Sequence, residues 1–211
     1  MNEVTTPHTG LLRLGLAASH SVTFWSRATT DQSVDQLCAT AEKERWFGDL
    51  TPSRLKYLVR QLQKRFPYPA RELLTFQARP EPHQNTLICH WHLQLVDPLY
   101  RAYTSSFLLG CWSSPTTTVS IDASASWVKA QPSAKRWAGN TQRRMASGLL
   151  SAATEAGLVA RTGRNERELK LPPVDSKDLA YLHRLLLRAD AVDNEETYLM
   201  SVGKSAVGEE C

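Results

Sequence analysis

Nine lysine and arginine side chains lie between residues 129 and 170, and only three acidic side chains offset them. The net charge of this segment is therefore +6, whereas that of the whole chain is +4. Cationic groups at this density attract polyanions, because each phosphate that they neutralise releases condensed counterions. A solvated surface is the plainer explanation of such a segment. We predict nucleic-acid contacts at Lys135, Arg136, Arg143, Arg144, Arg161, Arg164, Arg167 and Lys170.

A second basic strip occupies residues 51–66. Thr51 and Pro52 are a typical N-cap and first-turn pair, and apolar residues follow with helical spacing. Lys56, Arg60 and Lys64 fall on the opposite side of this predicted helix. We interpret these three residues as either a second contact face or a solvated one.

The chain lacks the sequence marks of several enzyme classes. It contains neither a Gly-x-x-x-x-Gly-Lys-Ser/Thr phosphate loop nor a Gly-x-Gly-x-x-Gly turn. Its closest acidic pairs, at positions 31 and 35 and at 42 and 44, lie among ordinary polar helix positions. We therefore expect no catalytic residue and no cofactor, although an unrecognised nuclease site stays open as an alternative.

The segment Cys89-His90-Trp91-His92 combines residue types that bind metals. On a helix, however, successive side chains splay by about 100°, so these neighbours cannot converge on one ion. We expect them to be helix surface and core, and we predict no metal site. The four cysteines contain no Cys-x-x-Cys pair, and we expect free thiols.

Helical periodicity dominates the chain before residue 130, where prolines and small polar residues separate successive segments. The stretch at 113–118 is the most linker-like, and we place a domain boundary near it. The predicted helices cover residues 10–27, 32–44, 52–66, 70–78, 84–96, 98–110 and 120–130. Asp97 and Pro98 are another N-cap and first-turn pair, at the start of the helix over 98–110.

A different order of elements follows residue 131. Ser133 can cap a helix that ends at Gly157, unless residues 139–141 divide it with Thr141 as the second cap. Two short extended segments around a turn at 162–165 then predict a hairpin. Ser176 can cap a closing helix over 177–187. This order is typical of a winged helix-turn-helix unit, in which one helix enters the DNA major groove.

We therefore predict a mainly α protein in which an N-terminal helical bundle is followed by a winged-helix-like unit with a short β-hairpin. The predicted parts are a bundle over residues 1–115, a basic winged-helix-like domain over 116–190, and an acidic tail over 191–211. The tail is expected to be either mobile or to contain a strand near 197–202.

Several local sequences resemble the BrxA family, a small accessory component of bacterial BREX phage-resistance systems. They are the opening Thr-Gly-Leu-Leu at 9–12, the run Ser-Gly-Leu-Leu-Ser-Ala-Ala-Thr-Glu-Ala-Gly-Leu-Val at 147–159, Leu-Lys-Leu-Pro-Pro-Val at 169–174 and Tyr-Leu-His-Arg-Leu-Leu at 181–186. The resemblance implies a helical protein similar to the antitermination factor NusB, with winged-helix features and the ability to bind DNA. It supplies no catalytic residues.

The leading hypothesis is a non-enzymatic, DNA-binding accessory protein of a phage-defence system that contacts duplex DNA mainly through phosphate. One alternative is an adaptor that docks onto other phage-defence proteins through the same surface. Another is a NusB-like factor that binds RNA through the helix at 52–66. No run of apolar residues is long enough to cross a membrane, and no secretory signal pattern is visible, so we expect a cytoplasmic protein.

Overall fold

The chain is mainly helical, as its periodicity predicts. The computed structural model describes residues 3–29, 32–66, 82–112 and 117–203. The strands are β1 (Thr118–Ser120), β2 (Val159–Arg161) and β3 (Glu166–Leu169). The α-helices are α1 (Leu11–Leu14), α2 (Ala18–Arg27), α3 (Val34–Lys43), α4 (Pro52–Arg65), α5 (Pro82–Val96), α6 (Pro98–Ala102), α7 (Leu108–Trp112), α8 (Ile121–Ala130), α9 (Gly139–Glu155), α10 (Ser176–Ala189) and α11 (Glu195–Met200).

Helix α5 is buried over most of its length, since every residue from 87 to 95 is buried. A helix that is buried on all sides has to lie inside the other elements. Helices α2, α4, α6 and α10 contact it. His90 and His92 of the predicted non-metal cluster are fully buried here, and each ring is held by two hydrogen bonds.

The start of α6 follows the prediction from Asp97 and Pro98. The Asp97 carboxylate accepts hydrogen bonds from the backbone N–H groups of Leu99 and Tyr100. A π-helical segment, Tyr103–Phe107, connects α6 to α7, so this helical region extends to Trp112. The helix predicted over 70–78 lies outside the described residues.

The single helix predicted over 10–27 is wrong, because residues 15–17 separate α1 from α2. Gly15 and Ala17 both have positive φ, of 61° and 52°. The buried guanidinium of Arg65 donates hydrogen bonds to the carbonyls of Gly15 and Leu16. Because a side chain from α4 donates to these carbonyls, they keep hydrogen-bond partners although the helix is interrupted.

The helix predicted from Ser133 to Gly157 is also divided. Residues Pro132–Arg136 form a 3-10 helix, Trp137 and Ala138 are extended, and α9 begins at Gly139. The Gln142 side chain donates to the carbonyls of Ala134 and Trp137, which stabilises the break. Neither Ser133 nor Thr141 is the cap.

Helix α10 begins one residue earlier than predicted. Its N-cap is Asp175 rather than Ser176. The Asp175 carboxylate accepts from the N–H groups of Lys177 and Asp178, and Asp178 accepts in return from the N–H of Asp175. This reciprocal capping box satisfies more of the free N–H groups of the first turn than a serine could.

The predicted hairpin is confirmed and forms part of a three-stranded antiparallel sheet in the order β1-β3-β2. Val159 pairs with Leu169 and Arg161 with Arg167, while Thr118 pairs with Glu168 on the other edge of β3. Strand β1 lies at the end of the stretch predicted to be a linker. Its three residues are too few to show an alternating pattern.

The beginning of the predicted acidic tail is helical and packed. Glu195–Met200 forms α11, whose Tyr198 is buried and donates a 2.6 Å hydrogen bond to the Glu3 carboxylate. In a strand, residues three positions apart point to opposite faces, whereas Tyr198 and Ser201 are both buried in this structure. One cluster of buried residues contains side chains from both sides of the predicted domain boundary, such as Leu62 and Leu149. The boundary itself stays a prediction.

Candidate nucleic-acid interface

The exposed side of α9 is uncharged or cationic for most of its length. Asn140, Arg143, Arg144, Ser147 and Ser151 are all exposed. Their spacing of three and four residues places them on one face of the helix. No acidic residue occurs on α9 before Glu155 at its C-terminal end. This face is therefore open to a polyanion along three helical turns.

The opposite side of α9 fixes this orientation. Its buried residues pack on α8, α1 and the sheet. These residues are Met145, Ala146, Leu149, Leu150, Ala152 and Ala153. Because the apolar stripe is continuous, α9 cannot rotate without exposing it.

The hairpin separates its charges between its two faces. Arg161 and Arg167 are paired across the strands, so their side chains lie on the same face. Glu166 and Glu168 alternate with Arg167 along β3 and lie on the other face. The hairpin thus presents two arginines without an acidic neighbour on that side.

A cleft of about 470 Å³ lies between this face of the hairpin and α9. Arg161, Arg164 and Arg167 line it together with hydroxyl and amide side chains. The Nε atom of Arg167 is buried there and has no hydrogen-bond partner among the described residues. The other residues that line the cleft are Ile121, Ser147, Leu150, Ser151, Thr154, Glu155 and Asn165.

Glu155 is the acidic residue of the cleft, and its carboxylate is engaged elsewhere. It accepts a 2.7 Å hydrogen bond from the backbone N–H of Ala18 at the start of α2. A carboxylate at a helix N-terminus is stabilised by the helix dipole. The turn of the hairpin is also anchored, since the Asn165 carbonyl accepts from the N–H of Ile121 at the start of α8. The cleft is therefore held by contacts from both of its sides.

Five of the eight residues predicted to contact nucleic acid lie on α9 or on the hairpin beside it. Arg143 and Arg144 lie on the exposed face of α9, and the three hairpin arginines line the cleft beside it. We call these five residues, Arg143, Arg144, Arg161, Arg164 and Arg167, the arginine surface.

The other three predicted residues are placed differently. Lys170 forms a 2.7 Å ion pair with Glu168, which lies on the opposite face of β3 from Arg167. Arg136 lies on the 3-10 helix and donates a hydrogen bond to the carbonyl of Pro7. Lys135 is exposed beside it. None of these three residues lines the cleft.

The second basic strip lies on α4 as predicted, with Lys56, Arg60 and Lys64 exposed. Lys56 is paired with Asp35 of α3 at 2.9 Å, and the pKa of the Asp35 carboxyl is lowered by that hydrogen bond and charge. The net positive charge of this strip is therefore smaller than the sequence of α4 alone indicates.

Sequence reasoning missed the hydroxyl residues of the cleft. Ser147 and Ser151 continue the four-residue spacing that begins at Arg143, and Thr154 follows on the same side of the helix. This spacing was a usable signal, because serine and threonine are common phosphate ligands beside arginine.

Within the described ranges, no group of three or more histidine, cysteine, aspartate or glutamate side chains is arranged to hold a metal ion. Likewise, no helix in the described part of the chain is both long and apolar enough to cross a membrane.

Comparison with known proteins does not assign the chain to a family. No protein-family model matches it, and no curated protein matches it.

Proposed function

We propose that this protein binds duplex DNA through the arginine surface. The observation that carries the proposal is the cleft between α9 and the hairpin, which Arg161, Arg164 and Arg167 line together with hydroxyl side chains of the helix. The Nη1 of Arg167 donates to the carbonyls of Glu166 and Gly163, whereas its Nε has no acceptor among the described residues. A buried guanidinium N–H without an acceptor is costly unless an anion occupies the site. A backbone phosphate supplies both the charge and the acceptors.

The order of the elements supports the same function. Strand β1, helices α8 and α9, and the hairpin β2-β3 follow one another, and β1 pairs with β3. This is the order of a winged helix, in which the second helix enters the major groove while the hairpin touches the backbone. In that geometry Arg143 and Arg144 approach the groove, and the hairpin arginines hold the adjacent phosphates.

The resemblance to the BrxA family extends the proposal to a biological role. We place the chain as a non-enzymatic accessory protein of a bacterial phage-defence system, acting beside other proteins of that system. In this role, contacts mainly to phosphate give weak sequence preference and strong salt dependence.

Fluorescence anisotropy with a labelled duplex, across 50–300 mM salt, tests the proposal. We expect about tenfold weaker binding at 100 mM salt for each phosphate contact that is lost. The variant Arg161→Ala/Arg164→Ala, which removes two proposed phosphate contacts, should also reduce the slope of log K against log salt by about 1 to 2.

The matched control removes the same charge from elsewhere. Lys43 and Lys177 are exposed on α3 and α10, outside the arginine surface. The variant Lys43→Ala/Lys177→Ala should bind DNA within about twofold of the wild type. Equal losses for the two double variants would show that only net charge matters and would contradict a defined interface.

A second candidate function is protein docking, which two exposed apolar side chains favour. Trp112 is 38% exposed and Leu171 is 48% exposed, and both line one shallow cleft. The test is whether a phage-defence protein co-purifies with this chain after nuclease treatment and washing in 1 M salt. If it does, and if Trp112→Ser abolishes the association, the result supports the adaptor function.

A further inference from the structure

A cavity of about 660 Å³ lies between the N-terminal segment, α1, α4 and the end of α5. No residue of the arginine surface lines it, so it is separate from the proposed DNA-binding cleft. Sites for small molecules occupy about 300 to 1,000 Å³. The cavity therefore has room for one small molecule.

The N-terminal wall of the cavity is held in place by the end of α5. The last carbonyls of a helix have no partner within the helix itself. Here the Leu95 carbonyl accepts from the N–H of Val4 at 2.9 Å, and the Val96 carbonyl accepts from His8 Nε2 at 2.7 Å. Because these bonds direct the N-terminal segment along α5, the space between this segment and α4 stays open.

The interior of the cavity is aliphatic. Leu11 and Leu14 line it from α1, Leu93 and Val96 line it from α5, and Val4 lines it from the N-terminal segment. Leu14, Val96 and Val4 are only partly buried, so their apolar surface is left in contact with solvent. A ligand that covers this surface removes it from water, which favours an apolar ligand body.

The wall formed by α4 is polar and cationic. Tyr57, Gln61 and Lys64 line the cavity from this helix, and their spacing of four and three residues places them on one face. Lys64 is exposed, and α4 contains no acidic residue. No side chain of α4 itself therefore neutralises the charge of Lys64.

Arg13 of α1 adds a second exposed cation to the lining. Its guanidinium carbon lies 5.9 Å from the centroid of the Tyr57 ring. A cation–π contact of this kind attracts the guanidinium to the ring without requiring an acceptor for its N–H groups. Among the described residues, no carboxylate forms an ion pair with Arg13 or Lys64.

The carboxyl group among the described lining residues does not cancel these charges. It belongs to Asp97, which is 1% exposed, and burial raises the pKa of this group and so favours its neutral form. The buried side chain of Arg65 adds a further cation to the wall. The potential in the cavity is therefore positive, so the cavity attracts anions and repels cations.

We infer that this cavity binds an amphipathic anion, a small molecule with an apolar body and one carboxylate, sulfate or phosphate head group. The body covers the leucine and valine side chains. The head group accepts hydrogen bonds from the guanidinium of Arg13, and Lys64 adds a second positive charge beside it. This site goes beyond the proposed DNA binding and does not depend on it.

Isothermal titration calorimetry with four ligands that share an eight-carbon chain tests the charge of the head group. Octanoate and octyl sulfate are anionic, octanol is neutral and octyltrimethylammonium is cationic, and each is used below its micelle concentration. We expect one anion to bind per chain, about tenfold more tightly than octanol, and the cation to bind more weakly than octanol. Equal affinities for octanoate and octanol would overturn the inference, because the cations would then contribute nothing.

Shortening the chain tests the apolar body. Octanoate, hexanoate and butanoate carry the same head group. Affinity should fall by about tenfold for every two carbons removed, because each buried CH₂ contributes a factor of about three to four. Equal affinities for the three carboxylates would mean that charge alone holds the anion, which would also overturn the inference.

The variant Arg13→Gln/Lys64→Gln tests the two cations. It should lower the ratio of octanoate to octanol affinity from about tenfold to about twofold or less. The matched control, Arg54→Gln/Lys43→Gln, removes the same charge from exposed positions outside the cavity and should leave the ratio unchanged. A general loss of folding would weaken both ligands alike, so an unchanged ratio in the first variant would overturn the role of Arg13 and Lys64.

A second variant locates the ligand. Gln61→Trp fills the cavity from α4 and should weaken octanoate at least tenfold, whereas Gln63→Trp, on the same helix but outside the lining, should bind it as the wild type does. Binding that survives Gln61→Trp would place the ligand elsewhere and overturn the inference, as would no binding of octanoate at 5 mM to the wild type. Octanoate affinity should persist in Arg161→Ala/Arg164→Ala, which separates this cavity from the DNA site.

Discussion

Arg161 and Arg167 lie directly opposite each other on the two strands of the hairpin. Like charges in this position repel, and the pair is destabilising by a few tenths of a kcal/mol relative to a neutral one. The same two side chains line the cleft beside α9. The phosphate that we propose to bind between them would convert the repulsion into attraction.

The variant Arg161→Thr should therefore separate stability from binding. We expect the free energy of unfolding in urea to rise by about 0.3 kcal/mol, because a like-charge pair is lost and threonine suits a strand. DNA affinity should fall by about tenfold at 100 mM salt. Lys170→Thr removes the same charge from a site paired with Glu168 and should change DNA affinity by less than twofold. Equal losses of affinity from the two variants would sink this interpretation of the pair.

The buried histidines predict a pH dependence of stability. Burial lowers the pKa of His90 to about 3 and that of His92 to about 4. In the unfolded chain both titrate near 6.5, so the unfolded state binds more protons below that pH and stability falls as the pH falls. Between pH 6.5 and 5 the two residues together should lower the free energy of unfolding by about 3 kcal/mol.

Urea unfolding at several pH values measures this dependence. His90→Gln and His92→Gln should each make the decline between pH 6.5 and 5 shallower, while His20→Gln, at an exposed position on α2, should leave it unchanged. A decline of the same steepness in all three variants would mean that other groups cause it.

Two glycines, one within α9 and one just after its C-terminal end, should respond in opposite directions to alanine. At Gly148 an added Cβ would lie 3.6 Å from Leu11 Cδ2, an ordinary contact. Gly148→Ala should therefore raise the free energy of unfolding by about 0.5 to 1 kcal/mol through helix propensity. Gly157 ends the helix with φ of +79°, so Gly157→Ala should lower it by about 1 kcal/mol. Thermal unfolding of both variants measures the difference, and a loss at Gly148 would show that α1 cannot accommodate the added methyl group.

Local signals in the sequence were sufficient for several elements. The cap pair Asp97-Pro98 and the hairpin around residues 162–165 were found because their signals lie within a few residues of one another. The break between α1 and α2 at residues 15–17 was not found from the sequence. The side chain that hydrogen-bonds to its carbonyls, Arg65 of α4, lies 50 residues further along the chain. Strand β1 was missed for the same kind of reason, since its partner β3 lies about 50 residues further along the chain.

Composition and spacing by themselves determined the mainly helical class, the hairpin and the excess of cationic side chains between residues 129 and 170. Only the tertiary structure decided which of those cations line the same cleft. Pairing across β2 and β3 set the faces of the arginines, and the packing of α9 brought Ser147 and Ser151 opposite them. It also buried Asp97 beside an apolar cavity. Charge is a property of each residue, whereas convergence depends on contacts between residues that are far apart in the chain.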